Sequence, residues 1–396
     1  MRRVFATRAR AVAAIALACG GLSGALFATE AGASGSPIII GTVVGTTGAY
    51  GATGVSIVQG AQLAVADLNK KGGILGRPVK LVWYNDNASA TLASEKFREL
   101  VGAGAVAITG SSDDGPATAA EAERYKIPDV GIVDDGGPTI YANGPGSAPN
   151  PWAYEFSINN YAMGQIFAQY ALKSCPSSKL ALLHDSTSYG VGASQEESAI
   201  YAKAGKKLSV DDTITENWTT GATVGLTSEI NKIKSSGTKC VDVWLTPQDS
   251  AAFLKETKTL GDSFTVLGND EYYATNTFLQ LAGNLANGTI SAEQRTAIYP
   301  NKVTTSFINE FNAKFHPPKG YNTTYPQATY DAINMVAQAI EKAKSTSATA
   351  IQAQLDKTQG FMGATGVLGF TAKNHQTITA SNLILIQYDA KAGAWK

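Results

Sequence analysis

Pro37-Ile38-Ile39-Ile40-Gly41-Thr42-Val43-Val44 is an apolar run of strand length, and the segments after it decide the fold. A glycine-rich turn comes next, Gly45-Thr46-Thr47-Gly48-Ala49-Tyr50-Gly51, then a helical pattern closing on Ala64-Val65-Ala66-Asp67-Leu68-Asn69. The chain turns again through Gly72-Gly73-Ile74-Leu75-Gly76-Arg77 and enters a second apolar run that ends at Asn85-Asp86. Strand, loop, helix, strand is the unit of a parallel sheet, because parallel neighbours need a crossover long enough to hold a helix.

The alternation continues downstream. Helices over Thr91–Gly102 and Ala117–Tyr125 lead to strands over Ala105–Thr109 and Pro128–Val133. A polar stretch rich in glycine and proline, Gly136–Pro151, reads as a loop or a domain border. After Ser157 the pattern restarts, with strands expected near Leu180, Leu208–Thr215, Val241 and Thr265–Gly268 and a helix before each. Thr304–Phe315 and Tyr325–Lys344 are helical, and Leu383–Tyr388 is a strand that has to pair somewhere. The fold class is α/β, with two doubly wound parallel-sheet units.

At 396 residues the chain exceeds one ordinary core and suits two. With 44% hydrophobic and 16% charged residues it is globular rather than disordered. A net charge of zero removes the long-range field of a general nucleic-acid binder. Residues 1–33 resemble an export signal: Arg2, Arg3, Arg8 and Arg10 precede an apolar, alanine-rich run from Ala11 to Ala28, and Ala31-Gly32-Ala33 places cleavage before Ser34. Cys19 is a candidate lipoprotein cysteine. Cys175 and Cys240 each precede an apolar strand. In strand order 2-1-3 the first and third strands are neighbours, so a disulfide is expected in an oxidising compartment, with two buried thiols as the alternative.

Enzyme readings find little. His184, His316 and His375 are the only histidines, and no two are four residues apart, so no helical zinc pair exists. Gly110-Ser111-Ser112-Asp113-Asp114-Gly115 does not fit a nucleophile elbow, and the Gly45–Gly51 turn lacks the dinucleotide glycine order. No metal and no cofactor is expected. The more specific signal is a set of polar loops that each come directly after a strand: Ser111-Ser112, Asp134-Asp135, Tyr189-Gly190, Thr246-Pro247 and Asn269-Asp270-Glu271. In open α/β sheets the carboxyl ends of strands face the ligand crevice. Two sheets facing each other would offer hydroxyls and amides to a carboxylate and an acid to an ammonium group.

The wording of the chain resembles the leucine/isoleucine/valine-binding family of solute receptors. The matching stretches include Gly60–Ala64, Asn69–Arg77 with Tyr84-Asn85-Asp86, Ile108–Ser112, Leu183–Gly192 and Tyr330-Asp331-Ala332. The resemblance implies a periplasmic-binding-protein type I fold, with two lobes joined by a three-crossing hinge: 34–157 with 296–360, and 158–295 with 361–396. It implies that Ser111 and Ser112 receive a ligand carboxylate, that Tyr189 closes over the ligand, and that Asp270 pairs with its amino group. Thr246 stands where leucine-type receptors carry a tyrosine, and Tyr50 would supply an aromatic wall. Asp134 and Asp135, with Asp113 and Asp114, depart from the family, since acids there repel a carboxylate. The expected protein is a monomeric, exported, non-enzymatic receptor for an amino acid or similar small polar ligand, with the permease of an ABC importer as partner. A sensing domain, or a receptor for aromatic acids, amides or urea-like solutes, is the alternative.

Overall fold

The computed structural model describes residues 35–396 apart from 49–50, 111–114, 132–135, 145, 157, 218–219, 275 and 319–320. The export signal with Cys19, and Tyr50, Ser111, Ser112, Asp113, Asp114, Asp134 and Asp135, lie outside the described residues.

The first sheet is built from β1 (Ile38–Val43), β2 (Val79–Tyr84), β3 (Ala105–Thr109), β4 (Asp129–Gly131) and β5 (Ala153–Glu155), with α1 (Gly51–Lys70), α2 (Ala90–Gly102), α3 (Gly115–Tyr125) and α4 (Gly136–Ile140) between them. All its pairings are parallel, in the order β2-β1-β3-β4-β5. The turn out of α1 runs through Gly72 (φ 97°) and Gly73 (φ 79°), a left-handed path open to glycine at no steric cost. β5 lies just past the glycine- and proline-rich border, where Ala153-Tyr154-Glu155 is too short to announce a strand.

The second part of the chain runs α5 (Asn160–Ser174), β6 (Ala181–Asp185), α6 (Ser188–Lys203), β7 (Val210–Ile214), α7 (Thr227–Ser236), β8 (Cys240–Trp244), α8 (Pro247–Thr259), β9 (Thr265–Gly268), α9 (Glu271–Ala274), α10 (Thr277–Ala282) and β10 (Ile290–Gln294). It continues with α11 (Arg295–Ile298), α12 (Lys302–Phe315), α13 (Thr324–Ala343), α14 (Ala348–Leu355), the hairpin β11 (Phe361–Gly363) and β12 (Gly366–Leu368), then β13 (Leu383–Asp389) and β14 (Ala394–Trp395). The second sheet has the order β14-β13-β10-β9-β8-β6-β7. It is mixed rather than purely parallel: the Leu383 strand pairs antiparallel with β10. β10 reads Ile-Ser-Ala-Glu-Gln, too polar to announce itself, yet all five of its residues are buried.

Side-chain alternation along β8 separates two cores. Cys240 and Trp244 face α5 and α6, whereas Val241 and Val243 join α7 and α8 in a second cluster. Cys175, at the end of α5, is disulfide-bonded to Cys240 with a Cα–Cα distance of 6.0 Å. Trp244 itself is fully buried against the edge of Phe167.

After β10 the chain returns to the first sheet. α13 lies on α1, where Gly60 lets the helices approach so closely that a Cβ would sit 2.3 Å from the Pro326 carbonyl. Phe307 and Phe311 of α12 pack with Leu63 of α1. Residues beyond 360 stay with this unit for a further stretch. Phe370 packs on Tyr154 and Phe156, the Glu155 amide donates to the His375 carbonyl (2.7 Å), and the Thr377 amide donates to the Glu155 carbonyl (3.2 Å). Among the described residues the chain therefore passes between the sheets three times, after β5, after β10 and between Thr377 and β13. Asn159 ties two of the passages together: its Oδ1 caps α5 by accepting from the Ala162 amide (2.9 Å), and its Nδ2 donates to the Ile378 carbonyl (3.0 Å).

Candidate functional site

Each polar loop at a strand end of the second sheet is held by its own hydrogen bonds. β6 ends on Asp185, whose Oδ1 accepts from the Thr187 amide (2.7 Å), the Thr187 hydroxyl (2.6 Å) and the Gly190 amide (3.3 Å). Thr187 caps α6 by accepting from the Tyr189 amide (3.2 Å). Burial pushes the Asp185 carboxyl up to about 6 despite these donors. The turn fixes Tyr189, whose ring meets Trp244 edge-on at 5.0 Å. Its hydroxyl donates to Asp270 Oδ1 (2.8 Å).

Asp270 comes just after β9 and is fully buried. Its turn is pinned by Asn269, which donates through Nδ2 to the Leu245 carbonyl (3.0 Å) and accepts through Oδ1 from the Glu271 amide (3.1 Å). The second carboxylate oxygen, Oδ2, accepts from the Tyr325 hydroxyl. Tyr325 stands in the first turn of α13, the helix packed on α1. The acid of one lobe is therefore held by a hydroxyl from its own lobe and a hydroxyl from the other. Two tyrosine donors thus orient Asp270, one at each carboxylate oxygen.

A second acid sits beside this contact. Glu293 of β10 accepts from the Gln294 amide at Oε1 (2.6 Å) and from Asn322 Nδ2 at Oε2 (3.0 Å), with the Thr324 hydroxyl at 3.4 Å. Burial first, and Asp270 in part, push its carboxyl up to about 8. Tyr273 anchors the same strand by donating to the Ala292 carbonyl (2.6 Å).

Thr246 is placed differently. It is the N-cap of α8, accepting from the Asp249 amide (3.3 Å), while its hydroxyl donates to Glu216 Oε1 (2.8 Å). Glu216 is held at about 10 by burial, by Asp249 and by Asp185. The Thr246 side chain is thus committed to a helix cap and a buried acid. Of the described candidates, Tyr189 and Asp270 are brought together and Thr246 serves its helix. Tyr325, Glu293 and Asn322 are not marked out by the sequence. Tyr325 carries one signal, a tyrosine beside Pro326 at a helix start, but nothing local says that it meets an acid 55 residues away.

Among the described residues no group of three or more His, Cys, Asp or Glu is placed to hold a metal ion. No helix among them is long and apolar enough to cross a membrane.

The family described as periplasmic binding protein matches residues 37–393. Leu/Ile/Val-binding protein homolog 3 of Brucella melitensis is 26% identical over 349 residues, 84% of this chain and 87% of the relative. A periplasmic binding protein type 1 from Bordetella pertussis Tohama I is similar in structure with a TM-score of 0.82 at 20% identity, over 91% of this chain and 99% of that one. The branched-chain amino acid transporter substrate binding protein LivJ of Streptococcus pneumoniae, solved in complex with isoleucine, has a TM-score of 0.74 at 20% identity, over 91% of this chain and 98% of that one.

Proposed function

The chain belongs to the periplasmic binding protein family, a family of solute-binding proteins and not of enzymes, and from that premise we propose that it is the extracytoplasmic receptor of an ABC importer, closing two lobes over an amino acid or a similar small polar ligand. The observation that carries the reading is Asp270: a fully buried acid at a strand tip of the second lobe, held by Tyr189 from the same lobe and Tyr325 from the other. An ammonium group supplies the kind of donor that such a carboxylate accepts most strongly. Ser111 and Ser112 complete the proposal as receivers of the ligand carboxylate, with Tyr50 as an aromatic contact. Thr246 is left out of the ligand set because its hydroxyl is already engaged. The first lobe takes 34–157 and 296–377 and the second 158–295 and 378–396, in keeping with the contacts of His375 and Thr377 with Glu155.

Binding favours the closed form through contacts that exist only there. Micromolar affinity needs about 8 kcal/mol net, which a few charge-assisted hydrogen bonds and one ring contact supply. Export, either through cleavage before Ser34 or with a lipid anchor at Cys19 in its place, and delivery to a membrane permease belong to the same proposal. The test is a thermal-shift screen of the twenty common amino acids, with aromatic acids, amides and urea alongside, and then calorimetry. An amino acid should raise the melting temperature, and Asp270→Ala should weaken its binding ~100-fold, the worth of a charge-assisted bond lost from a buried site. Full affinity in Asp270→Ala refutes the amino-group pairing. A response to aromatic acids or amides alone refutes the amino acid reading.

A further inference from the structure

An open cavity of about 290 Å³ lies between the first and the last chain passage, apart from the interlobe acid. Its walls come from both lobes. Tyr141 and Tyr161 line one side with their rings nearly parallel, 10° apart at 6.5 Å between centroids. Glu196 of α6 contributes a carboxylate, while Lys373, Gln376 and Ile378 come from the last passage. Both tyrosine hydroxyls are engaged, Tyr141 with Asn374 Oδ1 (2.9 Å) and Tyr161 with Gln195 Oε1 (3.1 Å). Gln376 is 9% exposed and lines the cavity, though its amide nitrogen Nε2 is itself buried.

We propose that this cavity is a second small-molecule site, built for a zwitterion of the α-amino acid class, and that its occupancy biases lobe closure. The Lys373 ammonium is the donor a carboxylate needs, and Glu196 is the acceptor an ammonium needs. Ile378 and the two rings take an apolar side chain. The volume suits a molecule of amino acid size. Glu196 rides on the second lobe, whereas Lys373 and Gln376 lie in the segment bonded to β5 of the first. A ligand spanning them has contacts in one lobe arrangement that it lacks in another, which is the condition for coupling to closure. This site stands apart from the cleft reading and does not rest on it.

Saturation-transfer NMR with each of the twenty common L-amino acids tests it on four proteins: the wild-type chain, Asp270→Asn, Glu196→Gln with Lys373→Met, and the triple variant. Near-UV circular dichroism checks that each is folded. At least one amino acid should still contact Asp270→Asn, and the triple variant should bind it ~10-fold more weakly or not at all. The Glu196→Gln, Lys373→Met protein should keep its cleft signal and give a calorimetric stoichiometry of one against two for wild type. Absence of any amino acid contact in Asp270→Asn overturns the second site, as does a contact unchanged in the triple variant. Loss of all binding in the Glu196→Gln, Lys373→Met protein with none lost in Asp270→Asn keeps the second site and sinks the cleft assignment instead.

Discussion

Removing the Tyr325 hydroxyl should separate lobe closure from folding. Tyr325 donates to Asp270 Oδ2 across the two lobes, whereas Tyr189 donates to Oδ1 from within the second lobe. A hydrogen bond to a buried charge is worth about 1.5–3 kcal/mol. In Tyr325→Phe that loss falls on the closed form alone, because the bond breaks when the lobes part. The closing equilibrium, and with it the ligand Kd, should shift roughly 10- to 150-fold for such an energy. Tyr189→Phe keeps the ring against Trp244 and loses a bond present in open and closed forms alike. Its cost should appear in denaturant unfolding, as about 1.5–3 kcal/mol, with the Kd changed less than ~3-fold. Calorimetry with the amino acid found by thermal shift, guanidinium unfolding and small-angle scattering with and without that ligand supply the three readouts. Unchanged affinity and unchanged compaction in Tyr325→Phe would refute the view that Tyr325 links the lobes through Asp270.

The remaining expectations concern the frame. Cys175 and Cys240 are 65 residues apart in sequence, so the loop-entropy expression gives about 4 kcal/mol lost on replacing both by Ala, read as a lower guanidinium midpoint; a midpoint that does not move would contradict it. Glu197 and Asp242 are both fully buried, with Glu197 pushed well above the carboxylate range by burial and by Asp242, and Asp242 raised to about 6, chiefly by burial. The folded protein therefore holds protons that the unfolded chain gives up above about 4, and stability falls as pH rises from there through the folded values. Glu197→Gln should gain on wild type by about 1–3 kcal/mol between pH 4 and pH 7 in urea unfolding, whereas a difference independent of pH counts against the buried pair. Gly60→Ala, whose Cβ would meet the Pro326 carbonyl, should destabilise by about 1–3 kcal/mol. Gly102→Ala meets nothing within 4 Å and should not lower the melting temperature; equal losses in both would show that the α1–α13 contact is slack.

Elements carried by a strong local pattern were legible. β1, β3, β6 and β8 are apolar runs bounded by turn residues, and α1, α2, α3 and α5 follow helical patterns, whereas α4 falls in the stretch read as a loop. β10 and β5 were not legible, because their burial comes from neighbours on both faces and not from their own composition. The role of Thr246 could not be read from its neighbours in sequence, for a related reason. A hydroxyl after a strand and before a proline serves equally as a ligand donor or a helix cap, and the choice is made by Glu216, 30 residues away. Asp270 was legible as an acid at a strand tip, but its partners were not.

Order along the chain was enough to settle the α/β class, the two sheets and the family resemblance, since period and turn chemistry act over a few residues at a time. Only the tertiary structure decided that α13 returns to the first sheet at Gly60, that residues up to Thr377 stay beside β5, and that Tyr325 reaches Asp270. The physical reason is range. A strand or helix answers to its neighbours in sequence, whereas a contact between lobes is set by where three separate chain passages bring distant side chains, and no local pattern encodes that distance.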